Sequence, residues 1–94
     1  MTTYAVRYTY DERSDVRDAV RPEHRAYLAR LRAEGALHVS GPFVGGEPGA
    51  MLIFEAPDAE RLAELLAADP FAREGLVAHT DVREWSVVVG ELKG

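Results

Sequence analysis

The sequence contains no cysteine, and this absence removes two ways of stabilising a small domain. Neither a disulfide nor a thiolate metal site can form, so the fold depends on its hydrophobic core. A chain without cysteine suits a reducing compartment. Its first ten residues also lack the basic segment and apolar run of a secretory signal. We therefore expect a cytoplasmic protein.

Long hydrophobic runs and clusters of positive charge are also missing. No stretch approaches the roughly 20 apolar residues that a membrane-spanning helix needs. The 16 acidic residues outnumber the 11 lysines and arginines, the net charge is −5, and the basic residues form no stripe. We therefore expect neither nucleic acid nor a membrane as a partner. The length and apolar content fit one folded domain over residues 1–94.

Hydrophobic periodicity predicts four strands and two helices. Tyr4, Val6 and Tyr8 alternate with less apolar residues as in a strand, and Pro22 suits the first position of a helix. The predicted strands are 3–10, 36–43, 50–56 and 77–89, residues 11–20 form a loop, and the helices run over 22–34 and from Asp58 to before Pro70. The order β-α-β-β-α-β predicts an α+β, ferredoxin-like fold. Both helices should cover one face of an antiparallel four-stranded sheet.

The other face of this sheet should not meet water. The third and last strands are apolar on both sides, and a back face carrying Met51, Ile53 and Trp85 or their neighbours is expected to need a cover. Face-to-face packing of two sheets with twofold symmetry would supply it. We therefore predict a homodimer through the sheet faces, with the long last strand reaching over the partner.

Four segments together resemble the YCII-related (YciI-like) proteins: "RPEHRAYLARLRAEGAL", "SGPF", "ADPFAREGLV" and "AHTDVREW". The resemblance spans nearly the whole chain, although the hairpin loop "VGGEPG" is shorter than the family pattern. It implies a dimeric α/β-barrel built from two ferredoxin-like protomers. It also implies a His–Asp pair in a pocket, here His24 and Asp69. It does not imply a particular reaction.

His24 and Asp69 are the candidate catalytic residues. His24 is predicted in the first helical turn, where unpaired N–H groups disfavour imidazolium and leave a neutral base. The alternative is a solvent-exposed helix-start residue, so His24→Ala should cost roughly 0.5 kcal/mol of stability or less. Asp69 would orient the imidazole, or it caps the turn that follows it. The two roles of Asp69 can coexist.

Ser40, Arg21 and His79 are candidates for binding a substrate. Ser40 is predicted to point away from the helices unless a bulge at Gly41 turns it, and its alternative role is a strand-end serine bonded to backbone. Arg21 could hold an anionic group or simply be solvated. His79 is expected near the pocket at a strand entry. Because the histidines lie on separate elements, we expect no metal site.

Three functions fit these residues. The first is a small enzyme without cofactors that uses His24 and Asp69 for proton transfer on a small organic substrate, aromatic or lactone-like. Isomerisation, or an elimination such as dehydrochlorination, is a reaction that such an acid/base pair can catalyse. The second is a cofactor-free oxygenase, which rests on fold analogy. The third is a non-catalytic protein that binds a small ligand or acts as an accessory subunit.

Overall fold

Four antiparallel strands form one sheet in the order β2-β3-β1-β4 in the computed structural model, which describes residues 1–92. The elements are β1 (Thr2–Tyr10), α1 (Ser14–Ala33), β2 (Leu37–Pro42), β3 (Gly49–Ala56), α2 (Ala59–Ala67), α3 (Pro70–Arg73) and β4 (Val77–Glu84). This arrangement confirms the predicted ferredoxin-like fold. The short helix α3 lies between α2 and β4.

The core lies between one face of the sheet and the helices. Alternate residues of the central strands point to this side, because side chains in a strand alternate between its two faces. They meet apolar residues that recur at helical spacing on α1 and α2. The main contributors are Tyr4, Val6, Tyr8, Leu28, Leu31, Leu52, Phe54, Leu62 and Leu65.

Helix α1 begins at Ser14, so the predictions of a loop over 11–20 and of a helix start at Pro22 were wrong. Pro22 lies inside the helix, where its missing N–H removes one backbone hydrogen bond. The polar first turns are nevertheless anchored, because the buried Arg17 side chain donates to the backbone carbonyl of Asp11. His24 consequently lies about three turns into the helix, away from its N-terminal N–H groups.

Strand β4 ends at Glu84 rather than at residue 89 as predicted. The length of its neighbour limits it, since Glu84 pairs with Tyr4 and β1 begins only two residues earlier, at Thr2, so residues 87–89 have no partner on β1. The last backbone bond of the pair runs from Trp85 N–H to the carbonyl of Thr3 at 2.8 Å. Beyond it, Val88 and Val89 are 85% and 92% exposed.

The back face of the sheet is mixed rather than uniformly apolar. Ile53 is buried and Met51 is partly exposed, and both belong to the apolar patch that the sequence predicts. Arg7 and Asp81 join them, with Arg7 Nη2 and Asp81 Oδ2 2.8 Å apart. The prediction of an apolar back face was based on the third strand. It did not take into account the charged residues of β1 and β4, which form an ion pair on the same face. None of the helices within residues 1–92 is long and apolar enough to cross a membrane.

Candidate active site

His24 and Asp69 meet under the sheet, although 45 residues separate them in the chain. Asp69 follows α2 and is the N-cap of α3, where its Oδ1 accepts the backbone N–H of Phe71 at 2.9 Å. The same oxygen lies 2.7 Å from Nδ1 of His24. The structure therefore gives Asp69 both positions considered from the sequence, the cap of a turn and the partner of an imidazole.

The hydroxyl of Tyr8 completes the surroundings of this carboxylate by donating to Oδ2 of Asp69 at 2.9 Å. Three donors thus surround a side chain that is 1% exposed, and they compensate for the burial of its charge. Burial and the negative charge of Asp69 raise the pKa of the Tyr8 phenol far above its usual range. Tyr8 therefore remains a donor at any physiological pH.

The hydrogen bond to Asp69 also defines the chemistry of His24. An ionised carboxylate accepts hydrogen bonds only, so Nδ1 carries the proton and Nε2 of the neutral ring has a free lone pair. Within residues 1–92 no hydrogen bond occupies Nε2. The imidazole can therefore take a proton at Nε2 while Asp69 stabilises the resulting cation through Nδ1.

A cavity of about 200 Å³ opens beside His24, between α1 and the strands β2 and β3. Apolar side chains line it together with arginine, hydroxyl and imidazole groups. The lining residues are Tyr10, Arg21, His24, Arg25, Leu28, Ser40, Gly41, Pro42, Ala50 and Leu52. A volume of this size suits a small molecule such as a single substituted ring.

Ser40 lines this cavity, contrary to the expected alternation of its strand. The irregularity lies between Leu37 and Val39, not at Gly41. It shifts the register so that Ser40 pairs with Leu52, which points toward the helices. Gly41 then pairs with Met51 on the back face. A single displaced residue thus reverses the direction of every later side chain in β2.

Arg21 lines the cavity and also forms an ion pair with Asp18. His79 lies elsewhere, so its predicted position near the pocket was wrong. It pairs with Thr9 on the back face of the sheet, where its Nε2 is 3.1 Å from Asp81. The alternation of β4 accounts for this, because Thr80 takes the position that faces the helices opposite Tyr8.

Other residues of the site did not stand out in the sequence. No sequence pattern singles out Phe71 or Arg25, and the alternation of β1 is typical of a core position for Tyr8. The alternation of β1 placed Tyr8 and Tyr10 on one face, but only the folded chain brings Asp69 beneath them. Burial and the nearby Asp69 raise the pKa of Tyr10 to about 12. Within residues 1–92 no three histidine or acidic side chains are grouped closely enough to hold a metal ion.

The model of the YCII-related domain matches residues 1–86. The chain belongs to the YCII-related family. A relative in Bacillus subtilis (strain 168), the uncharacterized protein YjpA, is 39% identical over 64 residues, which cover 68% of this chain and 73% of YjpA.

Solved structures show the same fold. The 5-chloro-2-hydroxyhydroquinone dehydrochlorinase TftG from Burkholderia phenoliruptrix, in complex with 2,5-dihydroxybenzoquinone, is 29% identical. Its TM-score is 0.80, and the match covers 89% of this chain and 93% of TftG. SnoaB, a cofactor-independent oxygenase from Streptomyces nogalater, is 15% identical with a TM-score of 0.52 over 96% of this chain and 97% of its own. SnoaB supports the fold alone.

Proposed function

We propose that this protein is an enzyme that moves protons on a small hydroxylated aromatic substrate and so eliminates chloride from it, without a cofactor. One observation carries the proposal. Nδ1 of His24 is held by the buried Asp69 at 2.7 Å, and His24 lines the cavity with Nε2 unoccupied. An imidazole oriented in this way suits alternating roles as general base and general acid.

The proposed reaction needs only proton transfers and the departure of chloride. Nε2 of His24 takes the proton of a ring hydroxyl and returns it to the ring carbon that bears chlorine, which gives the keto tautomer. It then takes the proton of a second hydroxyl. The electron pair of that O–H bond moves through the ring, and the C–Cl bond breaks with its electrons on chloride. A hydroxylated quinone, a proton and chloride result, so no external oxidant is required.

Two features support this substrate class. TftG, whose fold matches most of this chain, acts on 5-chloro-2-hydroxyhydroquinone, as its name states. The cavity of about 200 Å³ has the size of one substituted ring, with apolar residues such as Leu28 and Leu52 for the ring faces and Ser40 for a hydroxyl.

The test is chloride release from 5-chloro-2-hydroxyhydroquinone by the full chain and by His24→Asn. The asparagine amide can still donate to Asp69 but has no group at the position of Nε2. Turnover should fall on the order of 10²–10⁴-fold. His79→Asn makes the same change outside the cavity and should retain full turnover. Binding of 2,5-dihydroxybenzoquinone without any turnover would favour the alternative, a non-catalytic ligand-binding or accessory protein.

We also propose that the working form is a homodimer. The segment 85–89 continues from the edge strand β4 and carries Val88 and Val89 into solvent, although valine is usually buried. Met51 on the back face of the sheet is 39% exposed. A second copy packed on this face would cover both, as the sequence led us to expect. A cytoplasmic location, suggested by the composition, completes the proposal.

A further inference from the structure

A second cavity of about 400 Å³ adjoins the one beside His24. Its lining comprises Arg25, Leu28, Ala29 and Arg32 of α1 together with residues 37–40. We call it the arginine groove. Arg25, Leu28 and Ser40 line both cavities, so a ligand can extend from one into the other.

The arginines of this groove differ from the others of α1 in their partners. Arg17 is paired with Asp11, Arg21 with Asp18 and Arg30 with Glu34. Among the ion pairs that residues 1–92 form, none includes Arg25 or Arg32. The two uncompensated guanidinium groups of this helix therefore lie on the same groove.

No acidic side chain within residues 1–92 lines either cavity, although the chain has 16 acidic residues and a net charge of −5. Three carboxylates contact lining residues from outside the two cavities: Asp69 contacts His24, Asp18 pairs with Arg21, and Glu55 contacts His38 at the edge of the groove. His38 Nε2 lies 2.6 Å from Oε2 of Glu55, and the Thr3 hydroxyl donates to the same oxygen at 2.9 Å. These contacts lower the pKa of Glu55 and supply its carboxylate with hydrogen-bond partners.

We propose that the substrate is an aromatic anion whose carboxylate is bound by Arg25, with Arg32 beside it, while its hydroxylated ring occupies the cavity at His24. The guanidinium fork matches a carboxylate in shape and charge. A cleft of one sign also concentrates an oppositely charged ligand, which matters in a protein whose overall charge repels anions. This inference rests on the proposed function for the place of the ring, and it adds the charge of the substrate.

The experiment compares two probes by calorimetry on the full chain, 2,5-dihydroxybenzoate and 2,5-dihydroxybenzamide. They share a ring and hydroxyls and differ in charge. Wild-type protein should bind the benzoate about tenfold more tightly, and added salt should weaken only the benzoate. Arg25→Gln should weaken the benzoate about fivefold to tenfold and leave the amide unchanged. Arg30→Gln removes the same charge from α1 outside both cavities and should change neither affinity.

Equal affinities for the two probes, no binding of either, or the same loss in Arg30→Gln would overturn the inference. His24→Asn separates it from the proposed function. That variant should lose turnover and retain the preference for the benzoate. If the wild-type chain showed this Arg25-dependent preference but eliminated no chloride, the proposed reaction would fail and the anion site would stand.

Discussion

The imidazole of His24 lies flat on the phenyl ring of Phe71, with the ring centroids 3.8 Å apart and the planes inclined by 5°. Both residues are held by one carboxylate, since Oδ1 of Asp69 accepts the backbone N–H of Phe71 and lies beside Nδ1 of the His24 ring. Tyr10 contacts the edge of Phe71 with centroids 5.4 Å apart. The orientation of the candidate base is therefore set by the single turn of α3.

Phe71→Leu should lower turnover more than its effect on stability explains. The smaller side chain leaves the imidazole without its stacking partner, and the lost packing should cost about 1–2 kcal/mol. Phe54→Leu is the matched control, because Phe54 is equally buried and lies outside the cavity. Urea denaturation and turnover should show similar stability losses and a lower kcat only for Phe71→Leu. Equal effects on kcat would assign Phe71 to the core alone.

His24→Ala should destabilise the fold by about 1–3 kcal/mol, because it leaves a buried carboxylate without one of its donors. This exceeds the cost expected from the sequence, which assumed an exposed helix start. His24→Asn retains an amide donor for Asp69 and should cost less than about 1 kcal/mol. Thermal and urea unfolding of the two variants measure the difference. If His24→Ala were as stable as wild type, the bond to Asp69 would contribute little.

Asp69→Asn should weaken both the fold and the reaction. An asparagine oxygen can still accept from the Phe71 N–H and from His24, and the Tyr8 hydroxyl can turn to accept from the NH₂ group, so the cap is retained. The loss of the bonds to a charged acceptor should cost about 1–2 kcal/mol, and turnover should fall because the imidazolium loses its counter-charge. Tyr8→Phe removes a single donor from the far oxygen and should cost about 1 kcal/mol with most of the turnover retained. Denaturation and kinetics of the pair separate what Asp69 contributes to the fold from what it contributes to the reaction through His24. An Asp69→Asn variant with normal stability and turnover would contradict both.

The order of elements could be predicted because it depends on local pattern. The alternation of Tyr4, Val6 and Tyr8, the cap at Asp58 and the apolar spacing of α2 were sufficient for the ferredoxin-like arrangement. The start of α1 was missed because its first turns are polar. They are held by a contact from Arg17 to the backbone of Asp11, which periodicity does not reveal. The end of β4 was missed because it depends on the length of β1.

The site was predictable only in part, because several of its features also depend on contacts between residues that are distant in the chain. The position of Ser40 depends on an irregularity near His38, since one displaced residue changes which face it occupies. The contact between His24 and Asp69 was suggested by the family resemblance and not by spacing. The hydrogen bond from Tyr8 to Asp69 could not be predicted, because it depends on where the folded chain places α3 relative to β1. Residues that act through long-range contacts leave no local signal in the sequence.

Stability should fall above about pH 10. The folded structure raises the pKa of Tyr8, Tyr10 and Tyr27, chiefly by burial, above the ordinary value of about 10 for a tyrosine. Above that pH the unfolded chain loses these protons while the folded chain keeps them, so the free energy of unfolding decreases by up to about 1.4 kcal/mol per pH unit for each tyrosine. Urea titrations from about pH 8 to pH 11 measure this slope. Tyr8→Phe should make it shallower, and an unchanged slope would argue against a buried Tyr8.

The proposed homodimer should depend on the valines that follow β4. Light scattering at micromolar concentration should give twice the mass of one chain. Val88→Asp with Val89→Asp would place two charges in the proposed interface, where burying an unpaired carboxylate is costly, and should shift the equilibrium toward monomer. Val44→Asp is the control, because Val44 is 100% exposed and lies in the hairpin loop, outside the strands that form the back face. A wild-type chain that remains monomeric, or a doubly substituted chain that dimerises as well as wild type, would show that this segment covers no partner.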